Sequence, residues 1–184
     1  MQTSKERLTK SIHEILSVIC PNKDTKSMQS TPERFSKALL YLTKGYTENI
    51  KEIVQDGIFE VTHDSMIIVR DIEFSSLCEH HMLPFLGKVH IGYIPRGKIL
   101  GLSKFARIVE TFSKRLQIQE RLTHEILETI ETLLEPSGVI VVIEAEHLCM
   151  KIRGVEKHCS VTKTIDVTGA FSCNEKKMEF FHLL

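Results

Sequence analysis

Residues 66–95 read MIIVRDIEFSSLCEHHMLPFLGKVHIGYIP. The runs MIIVRDIEF (66–74) and GKVHIGYIP (87–95) are rich in β-branched and aromatic side chains and predict two strands. Between them lies SSLCEHHMLP, where Cys78, Glu79, His80 and His81 can each bind metal or move protons. Downstream the period changes from two to 3.6. Ser103 starts a helix with Phe105, Ile108, Val109 and Phe112 on one face. A second helix carries Leu122, Ile126, Ile130 and Leu133 and stops at Glu135-Pro136-Ser137-Gly138. VIVVIEAEHLCM (139–150) and SVTKTIDVTGAF (160–171) predict the last two strands. The order ββααββ is of the α+β class, a mostly antiparallel sheet with two helices on one face. Such a sheet leaves its second face and both edges uncovered. Closing edges between subunits is one remedy, so oligomerisation through the sheet is expected.

Upstream, Leu8, Ile12, Ile15, Leu16 and Ile19 recur at helical spacing and stop at Pro21. Residues 22–30 read as a loop. Thr31-Pro32-Glu33 then starts a helix with Phe35, Ala38, Leu39 and Leu42 on its apolar face and Gly45 as terminator. A shorter helix is expected across Ile50 to Val54. Residues 1–60 are therefore expected to form a helical arm on a core of 61–184, integrated as one domain.

Composition narrows the class. The 184 residues suffice for one domain with a core, and 42% hydrophobic with 26% charged residues is a globular balance. Lys+Arg and Asp+Glu are both 24, so nothing global points to nucleic acid or a membrane surface. No apolar run approaches the roughly 18–20 residues of a membrane span, and the polar start MQTSKERLTK is not a signal peptide. Five cysteines without CxxC spacing argue against a disulfide framework and for a reducing cytoplasm.

Cys78 and His81 stand in C-x-x-H spacing, which one turn can bring onto one ion. His147-Leu148-Cys149 lies in or ends a strand, where residues i and i+2 share a face. Zinc takes thiolate and imidazole, and its catalytic sites keep three protein ligands plus a water. Cys78, His81 and Cys149 make that set, with His80 and His147 nearby but unligated. Each residue alone better suits a bland role, the cysteines as small buried hydrophobes and the His80–His81 pair as surface. Only the combination favours zinc. Glu79 fits hydrogen bonding within the turn as well as catalysis.

GLSKFAR (101–107) puts Ser103, Lys104 and Arg107 at the start of a helix, where free N–H groups and the dipole favour an anion such as a polyphosphate. Arg153 follows Cys149 closely enough to serve the same pocket. Solvation of a helix face is the ordinary alternative for Lys104 and Arg107. In QIQER (117–121), Glu120 offers a carboxylate that could accept the adjacent N1–H and 2-amino donors of guanine. Spacing alone favours a solvated helix residue there.

CEHH (78–81), GKVHIGYIP (87–95), GLSKFARIVE (101–110), QIQERLT (117–123) and HLCMKIRGV (147–155), with TPERFSKAL (31–39) and KGY (44–46), resemble the GTP cyclohydrolase I family. The likeness runs from about residue 31 to 171, and its wording is nearer the eukaryotic members. The resemblance implies a tunnelling fold and a toroidal homodecamer of two stacked pentamers with active sites between subunits. It implies zinc on Cys78, His81 and Cys149, and catalytic roles for His80, His147 and Ser103. It places Glu120 and Gln119 at the guanine, and Lys104, Arg107 and Arg153 at the triphosphate and ribose. Arg34 falls on an arginine lent by a neighbouring subunit. The implied reaction opens the imidazole ring of GTP, releases formate and forms 7,8-dihydroneopterin triphosphate, the first step of folate or tetrahydrobiopterin synthesis. A feedback regulatory protein is a further implied partner. Glu146, beside His147, and Ile165-Asp166 depart from the family's pattern, and Cys159 and Cys173 match no role in it.

Rival classes are weaker. A zinc nucleobase deaminase would carry P-C-x-x-C, which is absent. A tunnelling-fold nitrile reductase would use a nucleophilic cysteine and lack CEHH. A non-catalytic, zinc-stabilised purine-nucleotide-binding oligomer would have no use for His147 and His80.

Overall fold

The computed structural model describes residues 3–20, 26 and 28–184. Contacts divide the chain into two units, Met1–Lys44 and Gly45–Leu184. In the first, α1 (Ser4–Ile19) opens with a capping box: the Thr3 hydroxyl accepts from the Glu6 N–H, and the Glu6 carboxylate accepts from the Thr3 N–H. α2 (Thr31–Leu42) starts with Pro32 in its first turn. The two helices pack together, with Thr9 Oγ1 3.2 Å from Ser36 Oγ and Lys5 Nζ 3.1 Å from the Glu33 carboxylate. Pro21 and most of the loop expected over 22–30 lie outside the described residues. Met28–Ser30 of it form a 3₁₀ turn.

The second unit holds α3 (Ile50–Val54), a small ribbon of β1 (Ile58–Glu60) with β4 (Lys98–Leu100), and the main sheet. That sheet runs β5 (Leu116–Gln117), β2 (Ile67–Cys78), β3 (Pro84–Ile94), β6 (Gly138–His147) and β7 (Thr162–Val167), antiparallel except where β5 pairs with β2. Between β3 and β6 in sequence come α4 (Leu102–Ser113) and α5 (Gln119–Leu134). Their faces of Phe105, Ile108, Leu122, Ile126 and Ile130 close over Val89, Ile91, Tyr93, Val141 and Ile143. The ββααββ order is therefore present, with short strands added. Both strands of the first hairpin are longer than their β-rich runs, because Ser75 pairs with Leu86 and Leu77 with Pro84. The hairpin thus carries Cys78 and His81 at its tip.

A bulge sets the phase of β2. Val69 lies opposite Ile91 and Ile72 opposite Val89, so one extra residue is inserted between them. Asp71 takes it up at φ 59, in the left-handed region that Asp tolerates better than most residues, and its carboxylate meets Lys88 Nζ at 2.9 Å. After the bulge Ile72, Phe74 and Cys78 pack into the helix-covered core together with Val69. The interruption of IIV by Arg70-Asp71 is the trace of this bulge in the sequence.

Two expectations need correction. The sheet's second face is not left bare. The strand expected to reach Phe171 ends at Val167, and a 3₁₀ turn (Gly169–Ser172) leads into α7 (Asn174–Leu183). Phe171 and Phe180 then cover Ile140 and Val142, while Leu86, Val161 and Ile165 stay exposed. Gly92 makes room, since a Cβ there would lie 2.6 Å from the Phe180 ring. α7 shows no single apolar stripe in the sequence, because its i,i+3 pairs Met178–Phe181 and Phe180–Leu183 fall on opposite faces. The second correction concerns the strand expected over 139–150. It ends at His147, and Leu148–Lys151 forms a single helical turn, α6.

Candidate metal centre and active site

Chain segments converge where β2 and β6 end and β3 begins. Cys78 closes β2, and its carbonyl accepts from the N–H of Met82 at 2.8 Å while its own N–H donates to Leu83 O at 2.9 Å. This turn, with Met82 at φ 54, swings His81 back over the strand end. Cys149 arrives from α6. The ligand atoms of Cys78, His81 and Cys149 all lie within 4.8 Å of one another, with Cys78 Sγ 3.8 Å from His81 Nδ1. His147 and Cys149 do not meet as strand neighbours on one face; the helical turn, not the pleat, delivers the second thiol.

The donor set suits zinc. Bond lengths of about 2.3 Å to sulfur and 2.0–2.1 Å to nitrogen put tetrahedral donors roughly 3.5–4 Å apart. Burial and the neighbouring Cys78 sulfur push the Cys149 thiol up from its ordinary pKa, and a cation between the sulfurs would reverse both effects. His80 is exposed, with Nδ1 3.9 Å from Cys78 Sγ and Nε2 3.6 Å from the Glu79 carboxylate.

His147 ends β6 directly opposite Phe85, and the two rings stack at 4.7 Å with 3° between planes. Its Nε2 lies 2.8 Å from Gln119 Oε1. Burial pushes the imidazole below its ordinary pKa, and the Glu120 carboxylate partly offsets this. Gln119 and Glu120 form the first turn of α5, Gln119 buried and Glu120 exposed.

Glu79, ambiguous in sequence, has partners. Arg121 Nη2 donates to its carboxylate and, at 3.0 Å, to Leu116 O, while Arg121 Nε donates to Gln117 Oε1 at 2.8 Å. The Glu79 N–H donates to Gln117 O at 3.0 Å. Glu79 and Arg121 therefore tie the turn that carries Cys78 and His81 to the start of α5. Their separation of 42 positions hid this pair from any local reading. Phe85, Arg121, Thr123 and Thr164 join the site without a sequence signal, the first being one more apolar strand residue.

The anion-binding residues divide. Arg153 lies at the cluster, its Nη1 3.1 Å from His81 Nε2. Ser103 and Lys104 stand at the start of α4, which begins at the far end of β3 and runs back towards the cluster end, where β5 pairs with Leu77–Cys78. Ten residues of helix put Ser103 about 15 Å from Ser113 along the axis, beyond side-chain reach of the cluster. Lys104 Nζ donates to Ile53 O at 2.9 Å, and Arg107 is exposed one turn along α4. Arg34 belongs to α2 of the first unit. The departures from the family pattern have surroundings of their own: Glu146 pairs with Lys151 at 2.6 Å and Asp166 with His124 at 2.8 Å, while Cys159 and Cys173 are exposed thiols.

The sequence profile described as GTP cyclohydrolase I matches residues 8–184. A Neurospora crassa protein named GTP cyclohydrolase 1 is 50% identical over 184 residues, covering 98% of this chain and 59% of its own length. A Porphyromonas gingivalis protein of the same name is 49% identical over 178 residues, covering 97% of this chain and 92% of its own. A Saccharomyces cerevisiae relative, also so named, is 47% identical over 180 residues, covering 97% and 74%. Fungal and bacterial relatives stand level, so identity does not set this chain nearer the eukaryotic members. Among solved structures, the apo form of the archaeosine synthase QueF-Like is similar with a TM-score of 0.50 at 19% identity, covering 59% of this chain and 98% of its own. At that identity the likeness speaks to fold alone.

Proposed function

This chain belongs to the GTP cyclohydrolase I family of enzymes, and from that premise we propose that it hydrolyses the guanine imidazole ring of GTP. C8 leaves as formate, and the product is 7,8-dihydroneopterin triphosphate, the entry to folate or tetrahydrobiopterin synthesis in the cytoplasm. The observation that carries the reading is the Cys78–His81–Cys149 group beside His147, whose ring is held on two sides.

Cys78, His81 and Cys149 would hold zinc, which supplies hydroxide near neutral pH by lowering the pKa of a bound water. His147 delivers a proton to guanine N7, which makes C8 electrophilic. His80, exposed beside the cluster and facing the Glu79 carboxylate, carries protons in the later ring-opening steps. Glu120 accepts N1–H and the 2-amino group of the base, two donors that adenine does not present together. Arg153 binds the triphosphate from the cluster side.

Ser103, Lys104 and Arg107 complete the site from a second copy, Ser103 assisting rearrangement of the ribose and the cations holding phosphate, with Arg34 lent by a further copy. Their distance from the cluster within one chain supports a site built between subunits. The sheet edges, β7 on one side and on the other β2 beyond its two-residue pairing with β5, are the surfaces through which a toroidal homodecamer would close. A feedback regulatory protein would dock on that assembly. Incubation with GTP and zinc tests the whole reading: formate and dihydroneopterin triphosphate should appear in equal amounts. A zinc-loaded oligomer that binds GTP and yields neither would instead be the non-catalytic nucleotide-binding protein.

A further inference from the structure

The family resemblance places Gln119 at the base, yet its side chain has no free atom with which to touch one. Its amide nitrogen, with two hydrogens, lies 3.0 Å from Ile143 O, 3.0 Å from Thr162 O and 3.1 Å from Thr164 Oγ1. Two of these partners are backbone carbonyls that can only accept, so the nitrogen and not the oxygen must face them. The surrounding hydroxyls run in the same sense. Thr123 Oγ1 donates to the main-chain carbonyl of Gln119 at 2.8 Å and so accepts from Thr164 Oγ1 at 2.6 Å. Thr164 therefore turns its lone pairs to Gln119.

The amide orientation fixes the next group. Gln119 Oε1 faces His147 Nε2 at 2.8 Å, and a carbonyl oxygen at that distance requires a hydrogen on Nε2. Phe85, fully buried, fixes the plane of the His147 ring by stacking, and Gln119 fixes rotation within that plane. Only 2% of Gln119 is exposed, so the whole arrangement sits behind the site.

We infer that Gln119 is a positioning residue rather than a base contact: it holds His147 with Nε2–H turned into the protein and leaves Nδ1 as the atom that exchanges a proton with the substrate. The inference rests on the reading of His147 as proton donor to the base. Base recognition in this turn then falls to Glu120 alone.

Nitrogen-15 spectra of the histidine-labelled, zinc-loaded assembly test the hydrogen placement, with His147 assigned by difference against His147→Ala. A hydrogen on Nε2 is expected; a bare Nε2 with Nδ1–H overturns the inference, with no variant at Gln119 required. Gln119→Met keeps side-chain length and removes every bond of the amide. It should lower kcat at least about tenfold while KM for GTP stays within about twofold. A raised KM with unchanged kcat would make Gln119 a base contact and overturn the inference. Normal turnover by His147→Ala would sink the catalytic reading itself, a separate failure, because the spectrum needs no turnover.

Discussion

Phe85→Leu separates packing from orientation. The ring is completely buried, stacks on His147 at 4.7 Å and meets Phe74 edge-on at 5.7 Å. Leucine refills most of the volume, a swap that costs about 1 kcal/mol. Losing two aromatic contacts at roughly 0.5–1.5 kcal/mol each brings the expected destabilisation to about 2–4 kcal/mol. The same change frees the plane of the His147 ring, so kcat should fall about tenfold with KM for GTP nearly unchanged. Phe74→Leu is the control, since it removes the edge contact and leaves the stack on His147 in place. Urea midpoints at fixed protomer concentration, read beside formate release at saturating GTP, give both quantities. Equal losses of kcat in the two variants would refute the claim that the stack orients the histidine. So would a Phe85→Leu enzyme that is destabilised yet fully active.

Other outcomes follow from single contacts. Cys149→Ser should lower zinc content from about one per chain to a small fraction, measured by elemental analysis after dialysis; unchanged content would remove Cys149 from the ligand set. Glu120→Gln should narrow the preference for GTP over ATP at least about tenfold, and an unaltered preference would dismiss it as the base reader. Burial holds the His90 pKa down, and its Nδ1 accepts from the Asp71 N–H at 3.2 Å. Below about pH 6.5 the unfolded chain binds a proton that the folded histidine resists, so stability should fall as pH drops from 7 to 5. His90→Gln should flatten that slope in denaturation measured across the range. Gly87→Ala should abolish folding or cost more than about 4 kcal/mol, because its Cβ would lie 1.8 Å from Glu144 O across the β3–β6 pairing; a near-normal melting point would contradict that register.

Long, strongly periodic segments were legible. The faces of α4 and α5 and the β-rich runs rest on local chemistry that a sequence displays directly. Cys78, His81 and Cys149 were also identifiable, although for Cys149 the reason was wrong. The strand was expected to continue, and no glycine or proline marks the point after His147 where it turns into α6. Lys104 and Arg107 read as phosphate ligands from their place at a helix start. That place cannot reveal the Ile53 carbonyl that holds Lys104, or that this helix end lies far from the Cys78–His81–Cys149 group within one chain. Gln119 illustrates the general limit. Its neighbours come from β6 and β7, more than twenty positions away, so its role exists only once those strands have packed.

The bulge at Asp71 also governs how this chain can change length. A strand that alternates its faces has a parity, and the extra residue between Val69 and Ile72 spends one unit of it before Cys78 is reached. Any single insertion or deletion between there and the hairpin tip would turn the thiol out of the helix-covered core and Leu77 in. Only changes by two would keep both in place. Drift in relatives of this protein should therefore gather in loops, while this segment admits substitutions but not odd steps.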